Sequence, residues 1–128
     1  MIMMSNILFI IALTLWGEAR GEGEEGMKMV ASVIWNRAEN RDMSLDDVCM
    51  QPRQFSSWNN GAISLNEDQL KSKEWRMCMM IAADMVEMKF VPITTADHFY
   101  NPEIASPIWA DKMKFVYKYR DHVFLKGR

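Results

Sequence analysis

Residues Ile7 to Trp16, ILFIIALTLW, form one apolar run that includes a single hydroxyl at Thr14, far short of the ~20 that span a bilayer. Ser5 or Asn6 can cap a helix over this run, and Gly17 marks its expected C-terminal end. A helix apolar on every face must be wrapped by the rest of the fold, or else be a targeting or anchoring segment; kept in the fold, this one is expected to be central and buried. In the following GEGEEG, Gly21, Gly23 and Gly26 make a turn. Glu22, Glu24 and Glu25 are expected to lie solvated at the N-terminus of the next helix, whose dipole favours acids there. That second helix carries Met27, Val30, Ala31, Ile34 and Ala38 at helical spacing and runs out around NRAENRD.

Ser44, with Asp47 three residues on in the manner of a capping box, predicts a short helix over Leu45, Val48 and Cys49 that Pro52 stops. QPRQFSSWNNGA then reads as a solvent-facing loop, with two aromatics, Phe55 and Trp58, among small polar residues. From about Asn66 to Met88 one helix is predicted, with Leu70, Trp75, Cys78, Met79, Ala82, Met85 and Val86 on its core face. The proline-rich crossing VPITTADHFYNPEIASPIW allows a short strand around Val91 to Thr95. A last helix is predicted on IWADKMKFVYKY after Pro107, with Trp109, Met113 and Val116 inward, and RDHVFLKGR as a short strand or coil. The sum is a mainly α (α+β) fold with minor β structure. No repeats, low-complexity tracts or linkers interrupt it, so a single domain over residues 1–128 is expected.

Charge excludes more than it assigns. With 15 Lys+Arg against 17 Asp+Glu, well mixed, the net charge of -2 supplies no field to recruit nucleic acid or an anionic membrane. Cys49 and Cys78 are too few for a disulfide framework and have no zinc-type spacing; two free core thiols are expected, with one bridge as the alternative. His98 and His122 each stand without a ligand-spaced companion, so no metal or other cofactor is expected, and each is read as bonding to a neighbouring turn. No basic n-region or small-residue cleavage site marks a signal peptide in the first residues.

Among the early glutamates only Glu18 adjoins Trp16 and the apolar helix, so only Glu18 is expected to be half buried. Burial against apolar neighbours raises a carboxyl's pKa, the state in which it donates a proton to a leaving oxygen. Gly17 beside it would leave room for substrate. The competing reading is a helix-end salt bridge from Glu18 to Arg20 or Arg37.

WGEARGE, then GMKMVASVIWNR, QFSSW, HFYNP with PIW, and HVF resemble, in that order, the cell-wall hydrolase family of the spore-cortex-lytic (SleB-like) type, over about Leu13 to Phe124. The resemblance implies a lysozyme-like or lytic-transglycosylase-like domain acting on peptidoglycan glycan strands, with Glu18 as its catalytic acid. One acid and no evident second carboxylate suit a lytic transglycosylase that cleaves between N-acetylmuramic acid and N-acetylglucosamine; a hydrolytic muramidase or a non-catalytic glycan-binding virion module are the alternatives. Asp97 and Glu103 are read as surface or turn residues. A glycan cleft wants aromatic platforms beside amides and hydroxyls, which Gln54, Phe55, Ser56, Trp58, His98, Tyr100 and Asn101 would offer, while Phe99 and Trp109 are read as core. Arg20 and Arg37 would brace the glutamate loop through Glu22 or a backbone carbonyl, with Gly17 as further support. Asp121 and Leu125 stand where the family more usually has a glycine and an aromatic, so one rim of the cleft is expected to differ. A lone catalytic domain without an export signal fits a phage lysis or virion component acting as a monomer on the wall, with no membrane anchor.

Overall fold

Helix α1, Met4–Ala19, is the axis on which α2, Gly23–Arg41, α3, Leu45–Met50, and α5, Lys73–Val86, all pack. The structure is a computed structural model and describes residues 4–51, 55–58 and 63–127. Ile11, Ala12 and Leu15 are completely buried, while Phe9, a turn earlier, is 47% exposed, so the wrapping of α1 closes only over its second half. The buried Thr14 hydroxyl is satisfied on both sides: Thr14 Oγ1 donates to the Ile10 carbonyl and accepts Trp58 Nε1–H, each at 2.8 Å. Ser5 and Asn6 lie inside α1 rather than at a cap, and the helix continues two residues beyond Gly17. No helix among the described residues is long and apolar enough to cross a membrane.

The spacing read for α2 holds, since Met27, Val30, Ala31, Ile34 and Ala38 are all buried. Gly23, at φ +76°, opens the helix at the expected glutamates, but Gly26, expected in the turn, is inside it. Helix α3 follows Ser44 as expected, without a bond from the Ser44 side chain. Pro52 lies outside the described residues.

The long helix predicted over 66–88 is two, α4 at Glu67–Leu70 and α5. Two caps compete within one apolar stripe: Asn66 forms a capping box with Gln69, and Ser72 Oγ accepts the Trp75 N–H at 3.1 Å, which starts a new helix. Leu70 is thereby left 49% exposed while Trp75, Cys78, Ala82 and Met85 enter the core. Cys49 and Cys78 are both free and buried, and burial pushes both thiols up to about 12.

A three-stranded antiparallel sheet of order β1-β3-β2 closes the fold, with β1 at His98–Tyr100, β2 at Lys114–Tyr119 and β3 at His122–Lys126. Residues 91–95 form no strand. Their backbone is held instead by α2 side chains: Ser32 Oγ accepts the Ile93 N–H at 2.9 Å, and Asn36 Nδ2 donates to the carbonyls of Thr94 and Ala96 at 2.8 Å. The helix predicted after Pro107 is one 3₁₀ segment, Ile108–Lys112, followed by β2. Aromatic and β-branched KFVYKY suits a strand, but a register shift between Phe115 and Tyr117 breaks its alternation and leaves a spacing that imitates a helix. Trp109, expected inward, is 38% exposed.

Candidate active site

Glu18 occupies the last turn of α1, half-buried, and its Oε2 accepts the backbone N–H of Ser57 at 3.0 Å. The Ser57 segment comes this close because position 17 has no side chain. A Cβ there would lie 2.4 Å from Ser57 Cβ and 2.7 Å from its Oγ. Ser57 thus fills one side of Gly17, while Gly17 also lines the cleft that Glu18 faces. On the other side, Glu18 opens into a cleft of about 350 Å³ whose wall also includes Arg20, Gly21, Glu22, Asp121 and His122.

Neither arginine expected at the glutamate loop bonds to Glu22. Arg20 folds back over the Trp16 ring, 5.2 Å from its centroid, and donates to the Trp16 carbonyl at 3.4 Å. Arg37 is buried and braces a different loop. Its Nε and Nη2 both donate to the Asp97 carbonyl, at 3.0 and 2.7 Å, and its guanidinium stacks over Phe55. Burial draws that guanidinium down to about 10, aided by nearby Arg41 and opposed by Asp97. No ion pair among the described residues joins Glu18 to an arginine.

Glu22 is the largest departure from expectation at the site. It is 8% exposed, not solvated, and its Oε1 lies 3.1 Å from His122 Nδ1. Glu24 and Glu25, by contrast, are exposed in the first turn of α2 as expected. The hairpin that brings His122 in is locked to the same loop: Tyr119 OH donates to the Glu22 carbonyl at 3.4 Å, and Arg120 Nη1 to the Gly21 carbonyl at 3.3 Å. Gly26 permits this docking, since a Cβ there would lie 2.4 Å from Glu22 Cβ and 2.9 Å from Tyr119.

The residues read as sugar platforms divide. Trp58 stands beside α1 on its bond to Thr14, and Ser56 starts the short 3₁₀ turn Ser56–Trp58. Phe55 is 1% exposed, hence a core residue and no platform. The loop buries it because its ring fills the space between Arg37 and Phe99. Gln54 lies outside the described residues. Phe99, paired with Phe124 in the sheet, shares the face that packs against His122 and Phe55. His98 and Tyr100 alternate to the opposite face, where both rings meet Trp109, at 5.2 and 6.0 Å, and they do not line the cleft at Glu18. Asn101 closes its own turn by accepting the Glu103 N–H at 2.9 Å, and Glu103 is exposed as expected.

Asp97 is buried, contrary to its reading as a surface residue, and is a hub. Its carboxylate accepts from His98 Nδ1, the Gly127 N–H and Asn40 Nδ2 at 2.8, 2.9 and 3.1 Å. Burial pushes the Asp97 carboxyl up, but the bond from His98, the Gly127 N–H and Asn40 outweigh it and hold it below its ordinary value. Burial also draws the His98 imidazole below its ordinary value, against the pull of Asp97. The sign of the linkage follows from both. His98 takes up a proton more readily unfolded, so stability is complete above its unfolded value near 6.5 and is lost as pH falls from there through the folded value. Asp97 contributes stability above 3.8 that is lost as pH falls through its lowered folded value. The melting temperature is therefore expected to fall between pH 7 and 5, and His98→Phe, which keeps a ring against Trp109, should flatten that slope; an unchanged slope would assign the dependence elsewhere.

A half-buried carboxylic acid at the end of a core helix, aimed into a groove walled by polar side chains, is the equipment of a general acid/base on an α+β scaffold. Residues 21–125 match the family described as Cell Wall Hydrolase, and the chain belongs to that family. The matched segment begins just after Glu18. The spore cortex-lytic enzyme of Bacillus cereus is 27% identical over 123 residues, 94% of this chain, and that of Oceanobacillus iheyensis is 28% identical over the same length. The chain spans only 44% and 42% of those two proteins. Among solved structures, the catalytic domain of the germination-specific lytic transglycosylase SleB from Bacillus anthracis superposes with a TM-score of 0.73 at 27% identity, covering 94% of both chains. The catalytic domain of Bacillus cereus SleB gives 0.73 at 26%, covering 95% of this chain and 91% of that one.

Proposed function

We propose that this chain is a single catalytic domain that cleaves peptidoglycan glycan strands between N-acetylmuramic acid and N-acetylglucosamine, as a lytic transglycosylase with Glu18 as its acid/base. The observation that carries this reading is the setting of Glu18: half-buried, lining the cleft, and fixed by one backbone N–H. With Oε2 accepting from Ser57, the proton of the acid form resides on Oε1. Glu18 gives that proton to the glycosidic oxygen as its bond to the anomeric carbon breaks. The muramic 6-hydroxyl then closes on the same carbon, and its proton returns to Glu18. The product is a 1,6-anhydro end, formed without net consumption of water. A domain-to-domain likeness to a protein described as a lytic transglycosylase supports this outcome over simple hydrolysis. The carboxylates of Glu22 and Asp121 on the same cleft favour the second reading, a muramidase in which another side chain holds a water.

Purified peptidoglycan digested with the protein and resolved by mass spectrometry should release muropeptides with anhydro ends. Reducing ends would replace the mechanism by hydrolysis, and no release from any wall would leave only a glycan-binding module.

Gly17→Ala tests the support of the acid. Alanine favours a helix interior by about 1 kcal/mol, whereas overpacking against the Ser57 side chain costs about 1–3 kcal/mol. A modest net loss of stability is expected, with a larger loss of lytic rate because the Ser57 N–H is pushed off Glu18. A more stable and fully active variant would show that this contact does not matter.

A further inference from the structure

Two of the cleft's polar side chains, Glu22 and His122, are nearly sealed from water, at 10% and 13% side-chain exposure, and they are joined to each other. Burying such a pair is costly unless the arrangement returns something. Helix capping does not account for it. Glu22 stands at the N-cap of α2, yet its side chain makes no capping bond and turns instead to His122. Gly26 also lets the Glu22 backbone and Tyr119 of the hairpin come together, because a Cβ at position 26 would lie 2.4 Å from Glu22 Cβ and 2.9 Å from the Tyr119 ring.

His122 is held on three sides. Phe99 and Phe124 meet its ring edge-on, with centroids at 5.1 and 6.2 Å, and Glu22 takes Nδ1. A carboxylate at Nδ1 keeps the proton there, so the neutral ring offers Nε2 as a bare acceptor. Glu18 stands on the same cleft, which is of a size to hold a sugar unit with its substituents.

We infer that His122 contacts substrate in the cleft it shares with Glu18, its Nε2 accepting a hydrogen bond from a glycan N–H or O–H beside the scissile bond other than the attacking hydroxyl, and that Glu22 is a positioning residue that fixes its tautomer. The inference rests on the reading of the cleft given above. His122 orients the sugar beside the scissile bond; the proton transfers remain those of Glu18.

The chain contains two histidines, so ¹⁵N-detected imidazole spectra resolve His122 from His98 without any activity measurement. In the wild type at alkaline pH, His122 should carry its proton on Nδ1 with a pyridine-type Nε2, and Glu22→Gln should mix the two tautomers. On a soluble N-acetylglucosamine–N-acetylmuramic acid oligomer, Glu22→Gln should lower kcat by at least about tenfold and His122→Phe by about 100-fold, with KM for Glu22→Gln within a factor of about three. His122→Phe leaves Glu22 buried without its partner, so the double variant Glu22→Gln/His122→Phe serves as the folded control and should be no slower than His122→Phe alone. A proton on Nε2 of the neutral wild-type ring overturns the inference. Wild-type kcat in Glu22→Gln and in the double variant does so too, reducing the pair to a bolt between loop and hairpin. Glu18→Gln measured alongside separates the two levels: activity lost there but kept in the pair variants defeats this inference alone, whereas activity kept in Glu18→Gln defeats the reading of the cleft.

Discussion

Glu18→Gln is expected to abolish release of muropeptides, with a fall in rate of about 10² to 10⁴-fold, while the protein stays folded. The two halves of that expectation come from different atoms. Glutamine has the same length as glutamate, and its amide oxygen still accepts the Ser57 N–H, so the short 3₁₀ turn Ser56–Trp58 keeps its anchor. Exchanging the carboxyl acceptor for an amide one costs roughly 1 kcal/mol of a domain's stability. What the amide lacks is a proton to give at Oε1. Glu18→Asp completes the argument, since it keeps the acid and withdraws it by one methylene. A displacement on the order of 1 Å from the reacting oxygen is expected to cost ~10²-fold. Binding to insoluble wall should persist in both variants. Retained lysis in Glu18→Gln would remove Glu18 from the chemistry altogether.

Glu18 was legible in the sequence because the evidence for it is local. An apolar run, a tryptophan and a glycine surround one acid, and the helix they form delivers that acid to the edge of the core. The buried face of α2 was legible for the same reason, since Met27 to Ala38 repeat at the period of the helix. The other half of the site was hidden by distance. Glu22 and His122 are brought together by a hairpin from the far end of the chain, and the bulge in β2 makes the first strand of that hairpin read as a helix. Reading 114–126 as two strands around Arg120–Asp121 would have exposed a turn able to dock on the glutamate loop. Composition misled at Phe55 and Asp97: a loop rich in small polar residues suggested exposure, but cation–π stacking on Arg37 buries the ring, and three donors make a buried carboxylate tolerable.

Phe55→Ala is expected to be the most destabilising single change near the site. The ring is 1% exposed, packs on Phe99 at 6.1 Å between centroids and receives the Arg37 guanidinium at 5.3 Å. Truncating a buried phenylalanine costs about 3–5 kcal/mol, a large share of the roughly 5–15 kcal/mol that holds an ordinary domain. The effect should also reach the acid, because the Phe55 carbonyl accepts the Trp58 N–H at 3.1 Å and so closes the turn whose Ser57 N–H holds Glu18. Phe55→Leu separates packing from sugar contact. Leucine retains most of the apolar volume and loses the stacking, worth about 0.5–1.5 kcal/mol, so this variant should melt slightly earlier and degrade peptidoglycan at close to the wild-type rate. A sugar platform would behave the other way, with unchanged melting and a raised KM on glycan oligomers. Denaturation midpoints and KM measured on the two variants therefore decide whether Phe55 supports the acid from within the core or meets the glycan itself.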